Sequence, residues 1–101
     1  QITMAKEYVN KSEVLHSGSV TGTSGSITIP KNTNYITISV DGQDDVWVLD
    51  NSGNKLIAIP AFASTASAHK SFIALPLQDM TIKVQITSGT ANVYVTRFYA
   101  G

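Results

Sequence analysis

The chain has no cysteine in its 101 residues, and only 14% of its residues are charged. Without thiols there is neither a disulfide framework nor a thiolate metal site, although secreted and intracellular proteins can both do without cysteine. Charge falls well below the usual quarter of residues. Seven bases balance seven acids, and the bases are scattered at Lys6, Lys11, Lys31, Lys55, Lys70, Lys83 and Arg97. No basic stripe exists to neutralise a phosphate backbone, so nucleic acid is not an expected partner. No apolar run reaches the length of a membrane-spanning helix, and the amino terminus lacks the basic-then-apolar pattern of a signal peptide, so no membrane partner is expected. The chain opens on Gln1 rather than Met, as expected of a processed chain or a piece of a longer one.

Catalytic patterns are equally scarce. There is no GxSxG elbow and no Gly-rich phosphate loop followed by Lys. The two histidines, His16 and His69, do not form a metal-binding spacing such as HxxxH. A two-His, one-carboxylate site could still assemble in space, but the short His- and Glu-bearing motifs of cupin barrels are missing. The expectation is a protein that is not an enzyme, with no cofactor, no resident metal and no catalytic residue.

Ser and Thr are abundant, at 22 of 101 positions, and supply the surface polarity that charge does not. Such a surface suits contact with neighbours, because little charge must be desolvated there. The dominant pattern is period-two alternation rich in β-branched residues, recurring about every ten residues with turn residues between. "YITISV" (35–40) places Ile36, Ile38 and Val40 on one face and Tyr35, Thr37 and Ser39 on the other. "TIKVQIT" (81–87) does the same with Ile82, Val84 and Ile86. Further strands are expected in "SITIP" (26–30), "VWVLD" (46–50), "KLIAIP" (55–60), "KSFIALP" (70–76) and "ANVYVTRFY" (91–99). Residues 1–16 are expected to form an extended arm or an edge strand. The fold class is therefore all-β: an antiparallel, jelly-roll-like β-sandwich of seven to nine short strands, forming one domain over residues 1–101.

The turns have their own chemistry. Pro30, Pro60 and Pro76 each close a strand, where a missing N–H does no harm. "GSVTGTSGS" (18–26) reads as a mobile loop or a short hairpin about Gly22. "SG" at 88–89 reads as a tight hairpin. "AFASTASAH" (61–69) is the one long link, suited to crossing between sheets.

Four of the acidic residues fall in "DGQDDVWVLDNSGNK" (41–55). An EF-hand loop would need Gly at its sixth position and a distal Glu; counted from Asp50, Gly falls at the fourth, and no Glu follows Glu13. "DNSG" instead supplies the Asp and Gly of a type I turn with a G1 bulge, joining "VWVL" to "KLIAI" as a hairpin with Lys55 opposite its acidic end. "DGQDD" reads as the turn leaving "YITISV". Asp41, Asp44 and Asp45 keep a residual claim on a cation or a partner's lysine.

Trp47 poses a choice. Inward, it anchors the core; outward, it is a ligand-binding platform, with Asp44 and Asp45 nearby. Leu49 on the same face favours the core. The terminal run "ANVYVTRFYAG" alternates Val93, Val95 and Arg97 with Tyr94, Thr96 and Phe98, so both faces are largely apolar. A strand covered on both sides belongs in the middle of something. Tyr94, Phe98 and Tyr99 are therefore the candidate interface residues of a homo-oligomer.

Short alternating strands, low charge, heavy Ser/Thr and Gly/Ser-rich links together resemble the small β-sandwich and jelly-roll virion proteins of tailed phages, the capsid decoration and head-fibre types. That resemblance implies a structural protein located in the virion, binding neighbouring capsid or virion subunits through its surfaces and its N-terminal segment. The alternative from the aromatics is an extracellular carbohydrate- or receptor-binding module using Trp47 and nearby tyrosines, with a glycan as partner.

Overall fold

The computed structural model describes residues 8–41, 45–59 and 70–101. Asp44, the Gly42 turn, Pro60, Phe62, the 61–69 link with His69, and the first seven residues of the expected arm lie outside the described residues. Among the described residues seven strands form: β1 (Lys11–Thr23), β2 (Ile27–Ile29), β3 (Tyr35–Asp41), β4 (Val46–Asp50), β5 (Lys55–Ile59), β6 (Lys70–Leu75) and β7 (Met80–Tyr99). Pro30 and Pro76 directly follow β2 and β6, where their missing donors break no ladder.

All the pairings are antiparallel, and β7 organises them. Along one edge it pairs first with β4 and then with β3; along the other it pairs first with β2 and then with β1. β5 extends the sheet beyond β4, and β6 extends it beyond β3. Two four-strand arms result, β2-β7-β4-β5 and β1-β7-β3-β6, and they share β7. The outcome is a single sheet curled into a nearly closed barrel shape, in place of the expected jelly-roll sandwich of two separate sheets.

The crease between the arms lies at glycines. Gly89 has φ 69° and Gly22 has φ 67°, conformations that cost other residues about 1–2 kcal/mol. The register of β1 on β7 slips between Thr21, opposite Thr90, and Thr23, opposite Gln85. The inward positions on β7 also change parity, from Ile82, Val84 and Ile86 to Ala91, Val93 and Val95. The expected hairpin at 88–89 is thus a corner within one strand, because the two runs do not pair with each other: the first lies between β2 and β4, the second between β1 and β3. The expected loop or hairpin about Gly22 is likewise a bend within β1.

Inside the curl, one apolar cluster draws on both arms. Ile27, Ile29, Val46, Val48, Ile59, Ile82, Val84 and Ile86 come from one arm, and Val20, Ile36, Ile38, Val40, Ala91, Val93 and Val95 from the other. These are overwhelmingly β-branched side chains, which suit a pleated and buried surface.

The hairpin between β4 and β5 has the expected chemistry. Asp50 Oδ1 accepts from the backbone N–H of Ser52 and of Asn54, at 2.9 Å each, and Oδ2 accepts from Asn54 Nδ2 at 3.1 Å. The Gly53 N–H donates to the Asp50 carbonyl at 3.1 Å, with Gly53 at φ 89°. The Asn54 N–H foremost, aided by its side chain and by the N–H groups of Ser52 and Gly53, holds the Asp50 carboxyl below its ordinary value. A carboxyl lowered by folding contributes stability that is complete above its unfolded value, about pH 4, and that is lost as pH falls through the lowered folded value. Thermal melts from pH 6 to pH 2 should therefore show an acid-induced fall that is shallower in Asp50→Asn than in the parent. Parallel falls would mean that the turn does not depend on the ionised carboxylate.

Candidate interaction surfaces

The outer faces of the two arms differ in chemistry. On the β1-β7-β3 arm, the register places Ser12, Phe98 and Tyr35 in one cross-strand row, Val14, Thr96 and Thr37 in the next, and Ser17, Tyr94 and Ser39 in a third. None of these nine positions carries charge. Tyr35 and Phe98 stack with ring centroids 4.9 Å apart and planes 12° apart, a cross-strand aromatic pair of the kind that steadies a sheet surface. Val14 is 61% exposed and Tyr94 42% exposed. Asp41, opposite Asn92, marks the charged border of this face. At its other end Val9, Asn10, Lys11, Ser12 and Phe98 line an open groove of about 300 Å³.

On the β2-β7-β4-β5 arm, Trp47 lies between Gln85 and Ala58, while its neighbours Val46 and Val48 are buried in the core. Trp47 therefore points outward and is half-buried, contrary to the expected core position. Leu49 shares this outer face. It is buried but stands apart from the inner cluster, and it is paired with Lys83 on one side and Lys55 on the other. Long lysine stems commonly cover apolar surface in this way. Lys55 Nζ sits 4.4 Å from the centroid of the Trp47 ring, a cation–π contact worth about 0.5–1 kcal/mol at an exposed site. The expected placement of Lys55 opposite the acidic end of the turn becomes a placement over the indole.

A third cluster plugs one end of the core. Arg97 is only 9% exposed. Its Nη1 donates to the Asn32 carbonyl at 2.8 Å and approaches Thr33 Oγ1 at 3.4 Å. Its Nε lies 2.9 Å from Glu13 Oε1, an ion pair whose angle is poor for a hydrogen bond. Its guanidinium lies 3.7 Å from the Tyr99 ring centroid. Of the three expected interface residues, Tyr99 is half-buried and stands against Arg97, while Tyr94 and Phe98 share the uncharged outer face. Nothing in the local sequence marks Arg97 as a bridge, because its partners come from β1 and from the 30–34 link.

The remaining candidates scatter. His16 is half-buried, and its Nδ1–H donates to the Val93 carbonyl at 3.0 Å. The Asp45 carbonyl accepts from the Thr87 N–H at 3.3 Å and from the Thr87 hydroxyl at 3.0 Å. Among the described residues no group of three His, Cys, Asp or Glu is placed to hold a metal ion.

No protein-family description and no curated protein matches this chain. Solved structures do match. A Bacillus licheniformis lipase, BlEst2 in its propeptide form, aligns over 99% of this chain with a TM-score of 0.58 and 14% identity; the chain spans 24% of that lipase's length. The SPBc2 prophage-derived protein YomS aligns over 97% of this chain and 99% of its own, with a TM-score of 0.50 and 9% identity. The likeness is one of fold. It shows that this antiparallel β arrangement occurs both as a quarter of a larger chain and across nearly all of a small prophage-derived one.

Proposed function

We propose that this protein is a non-enzymatic structural component of a virion, assembling with copies of itself and with neighbouring subunits through the outer face of β1, β7 and β3. The uncharged face carries this reading. Three successive cross-strand rows offer aromatic, aliphatic and hydroxyl groups without a charge to desolvate, and two of the larger side chains, Val14 and Tyr94, stand exposed. Cores of protein interfaces have this composition, depleted in charge and enriched in aromatic residues. The fold of YomS, a prophage-derived protein of matching length, supports a phage setting. Attachment by many modest contacts repeated around a symmetric particle needs no chemical site.

Light scattering on the purified protein should report an oligomer, and Tyr94→Glu should weaken self-association by about 30-fold, the effect of losing one central aromatic anchor, with little change in melting temperature. A parent that stays monomeric and does not sediment with assembled shells would overturn the reading.

A second reading, saccharide binding, gains support from the outward position of Trp47. Flat indole faces flanked by polar groups suit sugar stacking. Its signature is a saturable change in the emission of Trp47, the one tryptophan of the chain.

A further inference from the structure

We infer that the Trp47 face takes an acidic saccharide, one bearing carboxylate or sulfate groups, and that Lys55 selects for it. This rests on the second reading above and deepens it. The groups concerned come from three adjacent strands. Trp47 and Leu49 lie on β4; Lys83 and Gln85 face them from β7; Lys55 and Ala58 face them from β5. Adjacent strands are about 4.8 Å apart, so the backbones that carry Lys55 and Lys83 are about 10 Å apart, and their flexible stems can converge on one ligand. Among the described residues neither lysine forms a salt bridge. Two carboxylates flank β4: Asp45, two residues before Trp47, and Asp50, which is engaged by the N–H groups of Ser52 and Asn54 and by the Asn54 amide.

The position of Lys55 decides the charge of the ligand. Its ammonium lies over the indole, 4.4 Å from the ring centroid, on a ring face that a sugar would need for stacking. A neutral sugar must push the ammonium aside and gives it nothing in return. A carboxylate or sulfate draws the ammonium off the ring into a charge-assisted hydrogen bond and leaves the indole open to the C–H face of the same sugar. Lys55 therefore disfavours neutral saccharides and favours acidic ones. Lys83, across β4, adds a second positive charge without covering the ring. The Gln85 amide, only loosely held by Thr23 Oγ1 at 3.4 Å, is available to a sugar hydroxyl.

The test is a titration of Trp47 emission with a heparin-derived tetrasaccharide, with cellotetraose as the neutral probe and a short poly-glutamate peptide as a charge control. The acidic tetrasaccharide should bind saturably and more weakly as salt is raised, and cellotetraose should bind less tightly. Lys55→Gln should weaken the acidic probe by about threefold and strengthen the neutral one by a similar factor, while Lys83→Gln should weaken the acidic probe by about threefold and leave the neutral one unchanged. A merely structural Lys55 would not produce that opposite response. If cellotetraose binds the parent as tightly as the acidic probe, and Lys55→Gln moves both alike, saccharide binding stands and the selection by Lys55 is overturned. If no saccharide moves the emission, or if poly-glutamate matches the tetrasaccharide, the saccharide assignment itself fails.

Discussion

Arg97→Ala should lower the stability of the fold by about 2–4 kcal/mol, because it removes a nearly buried guanidinium and leaves the groups that compensate it without their partner. The Asn32 carbonyl and the Thr33 hydroxyl lose their donor, the Tyr99 ring loses the guanidinium stacked on it, and the space left by the stem has nothing to fill it. For a domain of this size the melting temperature should fall by roughly 10–25 °C. Two companion variants separate the contributions. Glu13→Gln should cost less than about 1 kcal/mol, because the Glu13 side chain is 55% exposed and Arg97 keeps its Asn32 bond. Arg97→Met keeps most of the stem's packing and should fall between the two. Calorimetry on the three variants gives the ordering, and a Glu13→Gln loss as large as that of Arg97→Ala would show that the ion pair, not the buried hydrogen bonds and packing, holds this end of the core.

Arg97 also illustrates how far the sequence could be read. Alternation placed it correctly on the same face as Val93 and Val95, but its partners on β1 and in the 30–34 link are fixed by the fold alone. The strands from β2 to β6 were legible, because most are short β-branched runs and turn residues or a proline follow them. The hairpin at Asp50 to Asn54 was legible too, since Asp and Gly at those spacings encode the turn locally. Ser88 and Gly89 were not: a Gly with positive φ serves a reversal and a corner equally well, and the choice depends on whether the flanking runs pair with each other. They pair with β3 and β4 on one edge and with β1 and β2 on the other. Trp47 was ambiguous for a related reason. "VWVL" is apolar at every position, so its own period cannot assign a face; the deciding pattern lies in β7, where Lys83 and Gln85 align with Leu49 and Trp47. The uncharged face was half visible. Tyr94, Thr96 and Phe98 stood out as an apolar outer row, but their uncharged companions on β1 and β3 join them only through the register.

Ile82→Ala should destabilise both arms together, by about 2–5 kcal/mol, the usual cost of truncating a fully buried isoleucine. Ile82 is completely inaccessible and sits where β7 is gripped on both edges, opposite Ile27 of β2 and Asp50 of β4. That loss is a large share of the 5–15 kcal/mol that holds a typical domain folded. Its distribution tests the single-sheet architecture. Trp47 reports on the β2-β7-β4-β5 arm, while Tyr35 and Tyr94 lie on the β1-β7-β3-β6 arm, so tryptophan emission and tyrosine near-ultraviolet dichroism follow the arms separately. Because β7 runs unbroken through both arms and one apolar cluster joins them, the two signals should share one midpoint in the parent. They should move together in Ile82→Ala and in Val95→Ala, a smaller truncation in the other arm. Coincident transitions by independent probes are the mark of a single cooperative unit. An Ile82→Ala variant whose tryptophan signal melts early while its tyrosine signal keeps the parent's midpoint would mean that the crease at Gly22 and Gly89 uncouples the arms, and that the molecule behaves as two sheets in spite of its shared strand.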